Sequence, residues 1–358
     1  MTDAGLKPRN GKQGSGRATL AVIAASAGVS VATVSKVVNG RADVSPTTRA
    51  LVQALLAQHD YLARRPEPAR VVARPAQPTV ELLFHKDMNA YSTELVQGVL
   101  DAAAASGIAV VVTRHPEDAP APGRAAQWVA DLVAADRRAV ISTMDHNLTA
   151  EDVEALAAAR VPLVVMDPLH LPVVEITSVG STNFAGGVAA TRHLLSLGHR
   201  RIGYIGGPVF AICNQARQQG YRAAMESAGA DVPDGYLRTA DFLYENGLRE
   251  GLELLKLAEP PTAVFAGSDE MALGVIEAAR SLAVRVPEDL SVIGFDDTNI
   301  AQLSSPPLTT IRQPLRDVGA VALRTAMRLA AGENLDSHHV ELATQLVVRR
   351  STARLGPA

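Results

Sequence analysis

Between positions 19 and 61, apolar residues recur at helical spacing in three short runs. Thr19 can cap the first predicted helix with its hydroxyl, and Gly28 can end it because glycine adopts a positive φ at little cost. One face of this helix carries Leu20, Ile23, Ala24 and Ala27. The pattern therefore predicts a short amphipathic helix followed by a tight turn.

Two more helices are predicted after that turn. Ser30 can cap a helix over 31–38, which Asn39-Gly40 stops. Ser45-Pro46 is a typical start for the third, with serine as cap and proline in the first turn. The inward side chains are predicted to be Val34, Val37 and Val38 on the second helix and Leu51, Leu55 and Leu56 on the third, with Tyr61 closing the unit. This arrangement indicates a helix-turn-helix, whose second helix turns its first residues outward.

From position 79 onward the pattern changes to short β-rich runs that alternate with helices. The predicted strands are 80–84, 108–113, 139–142, 163–166, 201–205, 262–266 and 291–295. Helices are predicted between them, for example over 93–105, 149–160, 184–197, 216–228 and 270–281. Repeated strand–helix units predict parallel sheets covered by helices, and their number favours two similar lobes with a cleft between them.

Polar side chains follow several of these strands at the point where each one ends. They are His85, Lys86 and Asp87, then Thr143, Asp167, Ser268-Asp269 and Asp296-Asp297. Loops after strands are polar in general, but ligands of open α/β sheets bind at the carboxyl ends of strands. So many polar residues on one topological side therefore favour a binding site.

Charge is divided unevenly along the chain. Residues 1–74 carry 11 lysines and arginines against 4 acidic residues, whereas the remainder carries 23 against 33. A cationic head on an anionic body is typical of a polyanion-binding module. The single cysteine, Cys213, excludes an intramolecular disulfide and a cysteine-based zinc site, and no metal site is expected. The polar N-terminus is not that of a secretory signal and no apolar run is long enough for a membrane helix, so we expect a cytoplasmic protein.

The segment "TLAVIAASAGVSVATVSKVVNGRADVSPTTRALVQALLAQHDY" resembles the DNA-binding head of the lactose/galactose repressor (LacI/GalR) family. The resemblance implies that Val31, Ala32 and Lys36 read base edges in the major groove. Contacts to phosphates, or capping roles, are implied for Thr19, Ser30, Thr33, Ser35 and Asn39.

A hinge is expected to link the head to the body. In the family this segment folds on operator DNA and wedges a leucine into the minor groove. Here Arg64 and Arg70 supply charge, while Val71 or Val72 stands where the leucine is expected, and Pro66 and Pro68 lie just upstream. A flexible proline-rich linker is the alternative in the absence of DNA.

The remainder of the chain is similar to the effector-binding core of the same family, through "TRHLLSLGHRRIGYIGGP", "ARQQGYRAAM", "TAVFAGSDEMALGVIEAARSLAVRVPEDLSVIGFDDTNIA" and "PPLTTIRQP". This implies a periplasmic-binding-protein-like α/β fold of two doubly wound lobes joined by three crossovers. The resemblance implies effector contacts at Asp167, Arg217, Ser268 and Asp296, and Leu315 stands near a usual aromatic lid position. Asp87 and Tyr91 are further candidates, and an Arg217–Asp296 ion pair is the structural alternative.

The predicted function is a sequence-specific transcriptional regulator, a repressor of carbohydrate-utilisation genes controlled by a sugar or oligosaccharide. A purine or nucleoside effector is the alternative, and a solute-binding protein is disfavoured by the helix-turn-helix. No P-loop, G-x-S-x-G or H-E-x-x-H motif is present, so neither catalysis nor a cofactor is expected. Only eight residues follow Arg350, which favours a homodimer on palindromic DNA over a tetramer.

These observations predict the following division of the chain. A disordered basic tail covers 1–17, the helix-turn-helix domain 18–61 and the hinge 62–78. The N-lobe is formed by 79–177 and 311–338, the C-lobe by 178–310 and 339–350, and a second tail covers 351–358.

Overall fold

The structure is a computed structural model that describes residues 19–41, 43–59, 61, 77–84, 88–114, 123–143, 148–169 and 176–356. Two compact units are present, residues 1–76 and residues 77–358. Five residues with predicted contacts lie outside the described ranges: Arg64, Arg70, Val71, Val72 and Asp87.

The described residues of the first unit form three helices, α1 (Leu20–Ala27), α2 (Val31–Val38) and α3 (Pro46–Gln58). Its core is formed by Ile23, Ala24, Val34, Val37 and Val52. On α3 the buried position is Val52, whereas Leu51 is 49% exposed, which corrects the predicted stripe by one residue. Leu55, Leu56 and Tyr61 pack against this core as expected.

The ends of these helices follow the predicted turn chemistry with one exception. Gly28 adopts a left-handed conformation with φ 63° after α1. The Ser30 and Ser45 hydroxyls accept hydrogen bonds from the Thr33 and Thr48 amides at 3.1 and 3.2 Å. Thr19 precedes α1 but its side chain makes no capping hydrogen bond, so the capping role predicted for it is wrong.

The second unit alternates strands and helices. Its strands are β1 (Thr79–Phe84), β2 (Ala109–Arg114), β3 (Arg137–Thr143), β4 (Leu163–Met166), β5 (Thr177–Ser181), β6 (Ile202–Gly206), β7 (Leu237–Thr239), β8 (Ala263–Ala266), β9 (Ser291–Asp296), β10 (Thr309–Arg312), β11 (His339–Leu342) and β12 (Gln345–Val347). Its helices are α4 (Ala90–Ser106), α5 (Arg124–Ala134), α6 (Ala150–Ala158), α7 (Asn183–Ser196), α8 (Ile212–Ser227), α9 (Tyr244–Leu255), α10 (Asp269–Ser281), α11 (Asn299–Leu303) and α12 (Leu315–Ala330).

The strands form two six-stranded sheets, one in each lobe. The first sheet has the order β2-β1-β3-β4-β5-β11, and all of its pairs are parallel. The second has the order β7-β6-β8-β9-β10-β12 and is parallel except for the β10–β12 pair. The carboxyl ends of parallel strands lie at the same edge of a sheet. In each lobe, the loops that follow the strands therefore lie at the edge that faces the cleft.

The chain crosses between the lobes three times, from β5 to α7, from β10 to α12 and from β11 to β12. These crossings lie later in the chain than the predicted lobe boundaries at 177/178, 310/311 and 338/339. The difference arises because β5 and β11 pair with each other in the first sheet, while β10 pairs with β9 in the second. All three boundaries are therefore corrected by a few residues.

Residues 351–355 are not a free tail as the sequence predicted, because they return along the C-lobe. The Ser351 carbonyl accepts a hydrogen bond from the Val292 amide at 2.8 Å, and the Leu355 amide donates to Leu197 at 2.9 Å. The buried His199 ring contacts the Thr262 hydroxyl at 2.9 Å and the Ala353 carbonyl at 3.1 Å. This segment therefore belongs to the lobe.

Glycines set the distance between packed helices in both lobes. A Cβ at Gly98 of α4 would lie 2.1 Å from the Arg316 carbonyl oxygen of α12, and one at Gly319 of α12 would lie 2.4 Å from the Leu95 oxygen. Glycines on the α7–α8 and α9–α10 pairs make equally close approaches. Within the described ranges no single helix is long and apolar enough to cross a membrane; α1 and α2 meet that test only together, with a bend of 108°.

Candidate functional site

The outer face of α2 is the candidate DNA-reading surface. Val31 is 48% exposed, and Ala32 and Lys36 are also exposed, while Val34 and Val37 fill the core beneath them. An exposed valine on a small helical unit carries a cost in water that a thymine methyl would relieve. The structure thus places the three predicted base-reading residues on one accessible surface.

The predicted phosphate-contacting residues of this unit also hold the ends of α2. The Ser30 hydroxyl lies 2.9 Å from the Thr33 hydroxyl, and the Asn39 side-chain amide donates to the Ser35 carbonyl at 2.9 Å. Capping is therefore part of their role, and Thr19 is exposed.

Lys36 forms an ion pair with Asp43, with 2.7 Å between Nζ and Oδ2. Half of the Lys36 side chain and 60% of the Asp43 side chain are exposed. The hydrogen bond from Lys36 is the main cause that lowers the pKa of Asp43 below its usual value. Any base or phosphate that Lys36 contacts competes with Asp43 for the ammonium group.

A pocket of about 520 Å³, including space open to solvent, lies in the cleft between the two lobes. The N-lobe lines it with Asn89, Ala90, Tyr91 and Asp167. The C-lobe lines it with Cys213, Arg217, Phe242, Ser268, Asp269, Glu270, Asp296 and Thr298. The structure therefore brings together Tyr91, Asp167, Arg217, Ser268 and Asp296, all of which the sequence singled out.

On the N-lobe side, the Tyr91 hydroxyl donates a 2.6 Å hydrogen bond to Asp167 Oδ2. Burial, with the Asp167 charge beside it, raises the pKa of Tyr91 well above its usual value, so the hydroxyl stays protonated and remains a donor. Asp167 is 6% exposed and adopts φ 49°, a conformation that costs free energy in a non-glycine residue. This geometry fixes one carboxylate oxygen and leaves the other for a ligand.

Arg217 of α8 is 3% exposed and lies in the C-lobe wall. Its Nε donates to Asn183 Oδ1 at 2.7 Å and its Nη1 donates to the Gly267 carbonyl at 2.6 Å. The guanidinium carbon also lies 3.9 Å from the ring centroid of Phe295. Arg217 is thus oriented by these partners. Among the described contacts it forms no ion pair with Asp296, so the ion pair considered as an alternative role for these two residues is not present.

Asp296 ends β9 and faces the same pocket. Gln313 Nε2 donates to its Oδ1 at 2.7 Å. Burial raises the pKa of Asp296 to about 7, although the nearby Arg217 charge acts to lower it. Its neighbour Asp297 points elsewhere and accepts hydrogen bonds from Arg312 and Arg349, as expected for adjacent residues at a strand end.

Two further polar residues of the pocket mainly hold its walls. Asp269 is 1% exposed and accepts hydrogen bonds from Thr298 at 2.8 Å and Thr310 at 2.6 Å. Burial raises the pKa of Asp269 well above its usual value. Ser268 caps α10 by accepting from the Met271 amide, and its hydroxyl donates to the Phe242 carbonyl at 2.8 Å.

Leu315 does not line this pocket, which corrects the lid position predicted for it. It is 5% exposed and packs in the N-lobe core, because it is the first residue of α12. Gln313, two residues earlier, reaches Asp296 instead.

The pocket contains residues that sequence reasoning missed, namely Asn89, Phe242, Glu270 and Thr298. Glu270 is adjacent to the predicted Ser268-Asp269 pair, which was the available signal. Phe242 follows the three-residue strand β7, which has no clear sequence pattern. In the described part of the chain, no group of three His, Cys, Asp or Glu side chains could hold a metal ion.

Comparison with known families gives a match in each of the two units of the chain. Residues 19–63 match the family described as "Bacterial regulatory proteins, lacI family", and residues 191–352 match "Periplasmic binding protein-like domain". Catabolite control protein A of Priestia megaterium is 32% identical over 336 residues, which cover 93% of this chain and 99% of that protein. The regulator CelR of Thermobifida fusca is 32% identical over 344 residues, covering 94% and 98%.

Solved structures give the same result for the whole fold. A complex of the transcriptional regulator CelR with cellobiose superposes with a TM-score of 0.68 at 31% identity, covering 94% of this chain and 100% of that one. The lac repressor dimer bound to operator and an anti-inducer superposes with a TM-score of 0.66 at 26% identity, covering 94% and 100%. The helix-turn-helix head and the two-lobed body occur together in these proteins, and this chain belongs to the LacI family of DNA-binding transcriptional regulators.

Proposed function

We propose that this regulator is a repressor of carbohydrate-utilisation genes, acts in the cytoplasm as a homodimer on a palindromic operator, and responds to a sugar or oligosaccharide in its cleft. The effector class is inferred from the hydrogen-bond donors and acceptors that line the pocket. Asp167 and Asp296 each offer a carboxylate oxygen, and Arg217, which lines the same pocket, offers guanidinium N–H groups. Vicinal hydroxyls are matched by this combination, since each can donate to a carboxylate and accept from an arginine.

Phe242 supports the same proposal because it adds an apolar surface to these polar groups. Its ring lies 5.4 Å from the Arg217 guanidinium carbon and lines the pocket. A pyranose ring has an apolar face that an aromatic side chain can cover. The base of a purine nucleoside also has an apolar face. The screen described below therefore includes nucleosides as the alternative effector class.

On the DNA side, the proposal assigns base contacts to Val31, Ala32 and Lys36. Phosphate contacts are assigned to Ser30, Thr33, Ser35 and Asn39, which surround them, and to Thr19. In a two-fold symmetric dimer, half-sites about 34 Å apart would place both heads in successive major grooves. The hinge residues Arg64, Arg70, Val71 and Val72 are proposed to add minor-groove contacts.

The two lobes give the effector a means to act on the head. Asp167 and Tyr91 belong to the N-lobe, whereas Arg217 and Asp296 belong to the C-lobe, so one ligand contacts both. A ligand that bridges the lobes stabilises the closed cleft, and only such a difference in affinity between two states can alter DNA binding. The proposal involves ligand binding without catalysis.

A thermal-shift screen of the purified protein tests the effector class. Monosaccharides and disaccharides are compared with nucleosides, and a ligand at one hundred times its dissociation constant should add about 2.7 kcal/mol of stability. The proposal expects a sugar to stabilise the protein and to change operator affinity. If only nucleosides stabilise the protein, the effector class is a nucleoside and not a sugar. If neither kind of compound stabilises it, the proposed effector class is wrong.

Selection of binding sites from random DNA tests the operator separately. The expected result is an enriched palindrome with two half-sites, bound by a dimer. Enrichment of a single asymmetric half-site would contradict the dimeric mode of binding.

A further inference from the structure

The pocket walls carry many more acidic than basic groups. Asp167, Asp269, Glu270 and Asp296 face or border the pocket, and Arg217 is the one cationic side chain among its described lining residues. Burial raises the pKa of Asp269 well above its usual value and that of Asp296 to about 7, so at neutral pH Asp269 adds little charge and Asp296 only part of one, and the excess of negative charge rests mainly on the other carboxylates. Small-molecule pockets are lined mostly by apolar side chains, and a small number of placed polar groups gives them specificity. The excess therefore bears on which effectors the pocket accepts.

Arg217 is held by neutral partners, so its positive charge remains in the pocket while one edge of its guanidinium is occupied. Its Nε and Nη1 donate to Asn183 and Gly267, and its guanidinium carbon lies 3.9 Å from the Phe295 ring centroid. Side-on bidentate recognition of phosphate or carboxylate uses Nε together with a terminal nitrogen. That mode is closed here, whereas the N–H groups outside these contacts can still donate to a hydroxyl.

The helix N-terminus at the pocket is also closed to anions. α10 begins at Asp269, and a helix N-terminus attracts negative charge through its free amides. Here Asp269 and Glu270 occupy the first turn, and the Ser268 hydroxyl already accepts the hydrogen bond of the Met271 amide. The Ser268 cap and the Glu270 carboxylate therefore occupy the first turn, where a phosphate would otherwise bind.

The groups left free for a ligand are mainly hydrogen-bond acceptors. Asp167 and Asp296 each use one oxygen within the protein, on Tyr91 and on Gln313, and each is at least nine-tenths buried. The hydroxyls of Ser268 and Thr298 already donate within the protein. An acceptor-rich wall is complementary to a ligand that donates, such as a polyol or an amine.

From these observations we infer that the cleft selects its effector by charge, accepting neutral or cationic hydroxyl-bearing ligands and excluding those with phosphate or carboxylate groups, with Glu270 as a specificity-determining residue. The inference rests on the proposed function in that the cleft is the effector site. Glu270 is the suitable residue because it is only partly buried, on the first turn of α10, so its charge faces the ligand space. Sugar phosphates, uronic acids and nucleotides are thereby excluded from the effector class.

Cys213 allows a direct test, because it is the only cysteine of the chain and lines the pocket. It is 4% exposed and burial raises the pKa of its thiol to about 12, so modification is slow and is followed at alkaline pH. Its rates of modification by a cationic methanethiosulfonate (trimethylammonioethyl) and an anionic one (sulfonatoethyl) are measured, each divided by the rate with mercaptoethanol. Fields of this kind change local ion concentrations by about tenfold or more. We therefore expect the normalised cationic rate to exceed the anionic rate by about tenfold at low salt, and the ratio to fall at high salt.

Matched variants locate the cause of this ratio. Glu270→Gln should lower it several-fold, whereas Glu277→Gln removes the same charge farther along α10, where Glu277 pairs with Arg280 outside the pocket, and should leave the ratio unchanged. Equal normalised rates in the wild-type protein, or equal effects of the two variants, would overturn the inference. Glucose 6-phosphate that stabilises the protein and protects Cys213 would overturn it as well. The methanethiosulfonate reagents report on the charge of the pocket without any effector. The outcome of this experiment is therefore independent of whether the sugar screen finds a ligand.

Discussion

The side-chain amide of Gln313 donates a 2.7 Å hydrogen bond to Asp296 Oδ1. Gln313 lies on the crossover from β10 to α12, so a carboxylate that faces the pocket is held by a segment that joins the two lobes. Asp296 also has φ 117°, a strained backbone conformation. A ligand that contacts Asp296 therefore touches a residue that is hydrogen-bonded to a segment joining the two lobes.

Asp296→Asn should stabilise the protein without effector and remove its response to effector. The pKa of Asp296 is raised to about 7 from 3.8, so between these pH values the folded state keeps a proton that the unfolded state loses. Stability from this group therefore falls as pH rises from about 4 to 7 and stays low above it. In urea denaturation at pH 8, the variant should be more stable than the wild type by at least about 1 kcal/mol, and the difference should be smaller at pH 5. One pKa unit corresponds to about 1.4 kcal/mol.

Asp289→Asn is the matched control for that experiment. Hydrogen bonds from Arg285 lower the pKa of Asp289 to about 2, so its charge does not change between pH 5 and 8. The same difference between pH 5 and pH 8 in wild type and Asp296→Asn would contradict the assignment.

Lys36→Ala should weaken specific operator binding, whereas Asp43→Asn should strengthen DNA binding. Loss of a base contact typically costs about 1–3 kcal/mol, and Asp43 holds Lys36 at 2.7 Å in the structure. Removal of Asp43 frees the lysine and deletes a negative charge near the DNA surface. Fluorescence anisotropy at fixed salt concentration gives both affinities, and an unchanged affinity for Lys36→Ala would remove Lys36 from the base-reading set.

His199→Gln should reduce the loss of stability in mild acid. Burial lowers the pKa of His199 below 6.5, so below that pH the unfolded state binds a proton that the folded state does not, and stability falls as pH decreases. The variant lacks this group, while His59→Gln, on the surface of the head, serves as control. Thermal melts of the body between pH 7 and 5 measure the difference; a wild-type slope in His199→Gln would disprove this role.

Gly98→Ala should destabilise the N-lobe by about 1–3 kcal/mol through overpacking. The added Cβ would lie 2.1 Å from the Arg316 oxygen, which forces α4 and α12 apart. In a helix without close neighbours, alanine is more favourable than glycine by about 1 kcal/mol. A variant more stable than the wild type would therefore contradict the prediction, because it would show that the two helices can separate at no cost. Gly356→Ala, where a Cβ meets nothing within 4 Å, controls for the substitution itself in the same denaturation assay.

The parts of the fold with strong local patterns were predictable from sequence. The bounds of α2 and β4 agree with the prediction, and all seven predicted strands are present. By contrast, β5, β7 and β10 to β12 were missed, because they have only three to five residues each, too few for a pattern to be recognised. β11 is stabilised by β5, about 160 residues earlier in the chain, and such a partner leaves no local signal.

Site residues followed a similar division. Asp167 and Asp296 could be found because they directly follow predicted strands. Leu315 was misplaced because sequence does not give the direction in which the β10–α12 crossover turns, and that turn sends Leu315 to the core and Gln313 to the pocket. Phe242 was missed because its position depends on a loop between two short elements.

The three crossings between the sheets have a consequence for dissecting the protein. A single cut near residue 76 separates the head from the body, but neither lobe is one continuous piece of chain, since β10 and β12 belong to one sheet and β11 to the other. A gene fragment that ends anywhere between residues 182 and 345 therefore encodes a sheet without its edge strand. Fragments made for ligand studies should keep residues 77–358 whole, and recombination with a relative can exchange heads far more easily than lobes.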